Sequence, residues 1–177
     1  MNRFTALHGS EAGTAKVGRG WRLERITPAS QLFGANGMQF GPDGRLYVAQ
    51  AMGSQITAID TATGALDHIA SNGGPITGPD DVAFDARGNL YATEVMSARV
   101  SRRRPDGRVD FVANDLPSAN GVTVFNGRLF IDEHRPGGRL FELYPDSGRT
   151  PRLIAADLDG PNALAGSPDG KLYFPLV

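Results

Sequence analysis

Gly78-Pro79-Asp80-Asp81-Val82-Ala83-Phe84-Asp85-Ala86-Arg87-Gly88-Asn89-Leu90-Tyr91-Ala92 is the stretch whose reading decides the fold. Short runs of β-formers, residues 82–84 and 90–92, flank Asp85-Ala86-Arg87-Gly88, a segment that tolerates positive φ and reverses the chain. It reads as strand, tight turn, strand. The plan recurs three times. Ala35-Asn36-Gly37 leads into Pro42-Asp43-Gly44-Arg45-Leu46-Tyr47, and Ala119-Asn120-Gly121 into Asn126-Gly127-Arg128-Leu129-Phe130. Gly160-Pro161-Asn162 leads into Pro168-Asp169-Gly170-Lys171-Leu172-Tyr173. From the Asn or Asp at the head of each unit, the spacings are 44, 40 and 42 residues. The third unit lacks one residue at its turn, where a deletion costs least.

Two more strands follow in each period. Residues 55–60, the turn Thr61-Ala62-Thr63-Gly64 and residues 65–69 make one such pair. Residues 99–102 and 109–112 flank Pro105-Asp106-Gly107, and residues 139–143 and 152–154 flank Asp146-Ser147-Gly148. Four strands per ~42 residues is the period of a propeller blade. The expected fold is therefore all-β: a β-propeller of four-stranded antiparallel blades, about three and a half of them, over residues 21–177. Residues 1–20 form an N-terminal segment outside the repeats, expected to be poorly ordered. Trp21, in Gly20-Trp21-Arg22-Leu23-Glu24-Arg25-Ile26, is expected on an outer strand, packing on a blade.

Composition agrees. Glycine (23) and proline (12) make up about a fifth of the 177 residues, as a turn-rich chain requires, and 40% hydrophobic content is too high for a disordered tail. A net charge of -1 gives no electrostatic footprint for nucleic acid, and the absence of cysteine excludes disulfides and thiolate chemistry. No apolar run approaches the ~20 residues of a membrane span, and the N-terminus lacks the apolar core of a signal peptide. A cytoplasmic protein without nucleic-acid or membrane partners is expected.

Asn36, Asp80, Asn120 and Asn162 are the candidates for function. Each immediately precedes an innermost strand, where equivalent positions converge on the propeller axis at one face. One such residue is explained by turn preference, but four in register call for more. A ring of amide and carboxylate oxygens suits a hard cation such as Ca²⁺ or another divalent metal. Gln50, Glu94 and Glu133 recur at the ends of the second strands. Glu94 and Glu133, with His134, are candidates for substrate contact, the alternative being hydrogen bonds to neighbouring blades' loops. Asp132 and His134 flank Glu133 and are placed to reach a pocket. The run Arg102-Arg103-Arg104 reads as a solvated strand end.

The heads Ala35-Asn36-Gly37, Gly78-Pro79-Asp80, Ala119-Asn120-Gly121 and Gly160-Pro161-Asn162, each leading into an inner hairpin, resemble the senescence-marker-protein/gluconolactonase/luciferin-regenerating-enzyme family. The resemblance covers residues 30–177. It implies a six-bladed propeller with one divalent metal, usually Ca²⁺, at the mouth of the central tunnel, hydrolysing lactones or organophosphates. Asn120 and Asn162 resemble the family's two asparagines on successive blades. Asp80 resembles the Pro-Asp-Gly aspartate, at once ligand and general base. The family's glutamate ligand has no match, and Asn36 stands in its place. In that register the family aspartate would fall beyond residue 177.

The expected function is that of a metal-dependent hydrolase of a small ester or lactone, possessing Asp80 as its catalytic carboxylate. A non-catalytic propeller that binds ligands or proteins is one alternative. A propeller lyase resembling the streptogramin lyases is another, although the strand heads there prefer Gly-Pro-His. An open arc leaves a strand edge and an apolar blade face uncovered, so a fragment, or self-association through the open edge, is expected.

Overall fold

A computed structural model describes residues 18–28 and 31–177. Three consecutive four-stranded antiparallel sheets account for most of the chain, each ordered as its sequence runs. The first holds β1 (Ala35–Phe40), β2 (Leu46–Gln50), β3 (Gln55–Ile59) and β4 (Leu66–Ala70); the second β5 (Pro79–Phe84), β6 (Leu90–Glu94), β7 (Arg99–Arg103) and β8 (Val109–Ala113). The third holds β9 (Ala119–Phe125), β10 (Arg128–Glu133), β11 (Pro136–Leu143) and β12 (Arg152–Asp159). A two-stranded fourth unit pairs β13 (Ala165–Gly166) with β14 (Leu172–Tyr173). The inner strands β1, β5, β9 and β13 stand in succession, each against the next. This is the β-propeller that the repeat predicts, in three complete blades and half of a fourth.

The inner turns explain the repeated motif. Gly44, Gly88 and Gly170 take φ of 79°, 78° and 84°, and each closes its turn with an N–H to the carbonyl three residues back. The turn aspartate then receives the hydroxyl of the tyrosine on the returning strand. Tyr47 donates to Asp43 at 3.0 Å, Tyr91 to Asp85 at 3.0 Å and Tyr173 to Asp169 at 3.2 Å. In the third unit both partners are gone together. Phe130 replaces the tyrosine, and Asn126-Gly127, with φ of 51° and 70°, make the two-residue turn that matches strand twist.

Packing is between blades. Tyr47, Ala49, Ile56 and Ile76 meet Val82, Leu90 and Ala92 between the first and second blades, and Tyr47 meets Phe84 edge-on at 4.8 Å. Ala83, Tyr91 and Val100 meet Val122, Leu129, Ile131 and Phe141 between the second and third.

Two expectations are corrected. Residues 20–26 carry no strand and pair with no described strand, and Trp21 is 79% exposed. Arg102 is buried, not solvated: Asp110 and Asp146 both pair with it, which makes the burial of its charge tolerable. The expectation for residues 1–20 falls mainly on 1–17, outside the described residues.

Candidate functional site

Each inner strand of the complete blades carries an irregularity at the same place. Ala35 pairs with Gln50 and Met38 with Val48, so Asn36 and Gly37 together face one residue, Ala49. Asp80 and Asp81 likewise face Thr93, and Asn120 and Gly121 face Asp132. This is a β-bulge in every blade. A bulge re-aims a side chain and leaves a backbone N–H without its ladder partner. The opposing residue supplies one. The Asp81 N–H donates to Thr93 Oγ1 at 3.2 Å, and the Gly121 N–H to Asp132 Oδ1 at 2.9 Å.

The re-aimed residues converge. Asn36, Asp80, Asn120 and Asn162 line one cleft of about 480 Å³, with Asp81 and Thr123 also on its wall. The Asn36 amide donates to Asp80 Oδ1 at 2.7 Å, which fixes the orientation of both groups. The Asn162 N–H is held by the Pro175 carbonyl at 3.2 Å. Burial pushes the Asp80 carboxyl up, against the Asn36 hydrogen bond and the attraction of His134.

Two further carboxyls stand around it. Asp81 is pushed up to about 6 by burial, with repulsion from Asp80 and Asp132 adding to the effect and two backbone N–H groups opposing it. Asp132 is pushed up to about 6, again by burial, opposed by the Gly121 N–H and by His134. Its Oδ2 is buried and lacks a hydrogen-bond partner among the described residues. Asp81 escaped the sequence reading because only the bulge register shows that it faces inward; the signal was a carboxylate where the other units carry Gly37, Gly121 and Ala163.

The other candidates lie off the cleft lining. Glu94 is fully buried, where Thr77, Arg99 and Ser101 surround it, with the Thr77 N–H at 2.8 Å. Glu133 is fully buried between Arg135 and Arg139. Gln50 accepts the Phe33 N–H at 2.7 Å. The Gln50 and Glu94 side chains thus hold the chain entering an inner strand. His134 has Nδ1 3.3 Å from the carbonyl oxygens of Gly160 and Pro161, next to Asn162. Carbonyls only accept, so Nδ1 carries a proton there. A second cleft, about 400 Å³ and lined by Tyr91, Tyr144, Arg87 and Arg149 among others, opens at the turn end of the strands. Its Arg87 is paired with Asp146, and its Arg128 with Glu142.

The four converging side chains of the first cleft, Asn36, Asp80, Asn120 and Asn162, offer hard oxygens: one carboxylate and three amides. Among the described residues no group of three or more His, Cys, Asp or Glu is arranged to hold a metal. The set still suits an oxygen-seeking divalent cation, because among the described residues no Lys or Arg is hydrogen-bonded to the desolvated Asp80 and amide oxygens are acceptable ligands.

Blades of four antiparallel strands with bulged inner strands and a polar cleft at their heads define a β-propeller with a central site. The chain belongs to the SMP-30/gluconolactonase/LRE-like family, whose characteristic region matches residues 4–128. It is 33% identical over 143 residues to a gluconolactonase of Zymomonas mobilis, a match covering 79% of this chain and 33% of that protein. Among solved structures it resembles a gluconolactonase of Xanthomonas campestris (20% identity, TM-score 0.69, 83% of this chain and 56% of that one). It also resembles the virginiamycin B lyase of Staphylococcus aureus (20% identity, TM-score 0.64, 79% and 48%). The chain thus spans about a third of the length of the Zymomonas relative and about half that of the solved ones. No helix among the described residues is long and apolar enough to cross a membrane.

Proposed function

We propose that the cleft at the inner-strand heads is the site of a metal-dependent hydrolase acting on small lactones or related esters. The observation that carries this reading is the convergence of Asn36, Asp80, Asn120 and Asn162, residues up to 126 positions apart in sequence, on one polar cleft. Family membership supports the substrate class.

Asn36, Asp80, Asn120 and Asn162 would hold a divalent cation of the Ca²⁺ type. Such an ion supplies Lewis acidity toward a lactone carbonyl. Asp80 is the general base: Asn36 pins one of its oxygens, leaving the other to take a proton from water. Asn120 and Asn162 offer amide groups from the next two units to orient the ester. Glu94 and Glu133 support substrate contact indirectly, by fixing loops, and His134 borders the site through the backbone of residues 160–161. We also propose a cytoplasmic setting, and that a second copy of the chain covers the open blade faces.

The test is calorimetric titration with Ca²⁺ together with a lactonase assay with and without chelator. The wild type is expected to bind one ion, and Asp80→Asn and Asn120→Ala to weaken it at least tenfold. Absence of binding by the wild type overturns the metal-dependent reading. Hydrolysis that survives chelator and Asp80→Asn unchanged overturns the role of Asp80.

A further inference from the structure

Asp81 is the residue of the cleft that the proposed chemistry does not use. It is half-buried, yet it is a carboxylate placed beside another carboxylate. Something must compensate. Its Oδ1 accepts the Val82 N–H of its own strand at 2.8 Å. Its Oδ2 accepts the Val122 N–H of β9, in the next blade, at 3.0 Å. Its own N–H is taken by Thr93. On the other side it lies against Gly37 of β1, where an added Cβ would fall 2.6 Å from the Asp81 Cα. That contact is with backbone and cannot be relieved by moving a side chain. Glycine at 37 is therefore what lets the first bulge seat on the second.

One carboxylate thus touches all three complete blades, within two residues of Asn36, Asp80 and Asn120 in each. We propose that Asp81 is the positioning residue of the cleft: it straps the three bulges together and thereby sets the spacing of Asn36, Asp80 and Asn120. The carboxylate is needed as such because both oxygens face N–H donors. An asparagine would present its own NH₂ to one of them, and a smaller side chain would leave the Val122 N–H unpaired between blades. The strap stands on these contacts alone; its importance for turnover rests on the function proposed above.

The test reads the strap without metal or substrate. In the wild type the Val82 and Val122 amides are expected to exchange with solvent as slowly as the ladder amides of β9; fast exchange at Val122 overturns the proposal before any variant is made. In Asp81→Asn, Val122 protection is expected to fall at least tenfold. The side-chain amide signals of Asn36 and Asn120 are expected to shift in the same variant. Those of Asn89, tied to Asp85 at the turn end, are expected to stay in place. Unmoved Asn36 and Asn120 signals would make Asp81 a mere filler and overturn the positioning role. A parallel Ca²⁺ titration of the wild type separates the readings: failure to bind removes the proposed function and leaves the strap to be judged by its amides.

Discussion

Asp132 shows how a single residue can be visible in a sequence while its task is not. Its position beside Glu133 marks it as able to reach a pocket, but the bulge that it completes is a matter of register, which no residue pattern announces. The same holds for Asp81, whereas Asn36, Asp80, Asn120 and Asn162 are legible because the repeat puts them in line. Asp132 has a testable cost. Its ordinary value is 3.8 and burial raises it to about 6 in the folded protein. The folded state therefore holds the proton more tightly than the unfolded chain. Stability tied to that proton is complete below pH ~4 and is lost as pH rises through ~6, to the extent of ~3 kcal/mol at most. Asp132→Asn keeps an acceptor for the Gly121 N–H and carries no charge. It is expected to be ~1–3 kcal/mol more stable than the wild type at pH 7.5, with the advantage vanishing near pH 4. Urea melts at the two pH values check this, and a difference that does not vary with pH would refute it.

At the scale of elements, the strands and inner turns were legible because tight-turn chemistry is local. Asp43, Asp85 and Asp169 even announce their tyrosine partners four or six residues on. What the sequence could not show was pairing that depends on distant chain. Residues 20–26 have a strand-like alternation but no partner edge among the described residues, and Arg102 depends on Asp146, 44 residues away. The connections into the inner strands add a comparison between blades. Gln50 and Glu94 stand at equivalent places and hold equivalent loop N–H groups, but only Glu94 is charged. Arg99 answers that charge at 2.7 Å, donates to the Pro75 carbonyl at 2.8 Å and lies 4.1 Å over the Phe111 ring. Arg99→Ala strands a fully buried carboxylate and is expected to cost ~3–5 kcal/mol, against ~1–2 kcal/mol for Gln50→Ala, which removes neutral hydrogen bonds to Phe33, Gln55 and Thr57 and strands no charge. Denaturant unfolding of the two variants decides it; equal losses would show that the charge at Glu94 is compensated elsewhere.

At the scale of the molecule, each blade has a leading and a trailing face, and the interior junctions show what each requires. Val82 and Phe84 of β5 lead against the first blade, and Val122 and Val124 of β9 lead against the second. The same two positions of β1 are Met38 and Phe40, 58% and 59% exposed. On the trailing side, Tyr47 is covered by Phe84, whereas its counterpart Tyr173 is 52% exposed. An interior junction shows a tyrosine on a trailing face meeting a phenylalanine on a leading one, so the second copy proposed above would meet the same pair of side chains. Burying several such side chains, at ~1.5–3 kcal/mol each, is a substantial drive for association. Two copies that set Phe40 of one on Tyr173 of the other would repeat the Tyr47–Phe84 contact and close both arcs into one ring. Sedimentation equilibrium is expected to give a dimer, with scattering dimensions of a closed ring, and the single Trp21, exposed in one chain, serves as a fluorescence reporter of anything that docks near it. Phe40→Asp is expected to return the protein to monomers with its β-sheet signal intact, since the side chain contributes little to its own blade. A monomer at every concentration, equally soluble in both forms, would mean that the leading and trailing faces are not covered by a second copy.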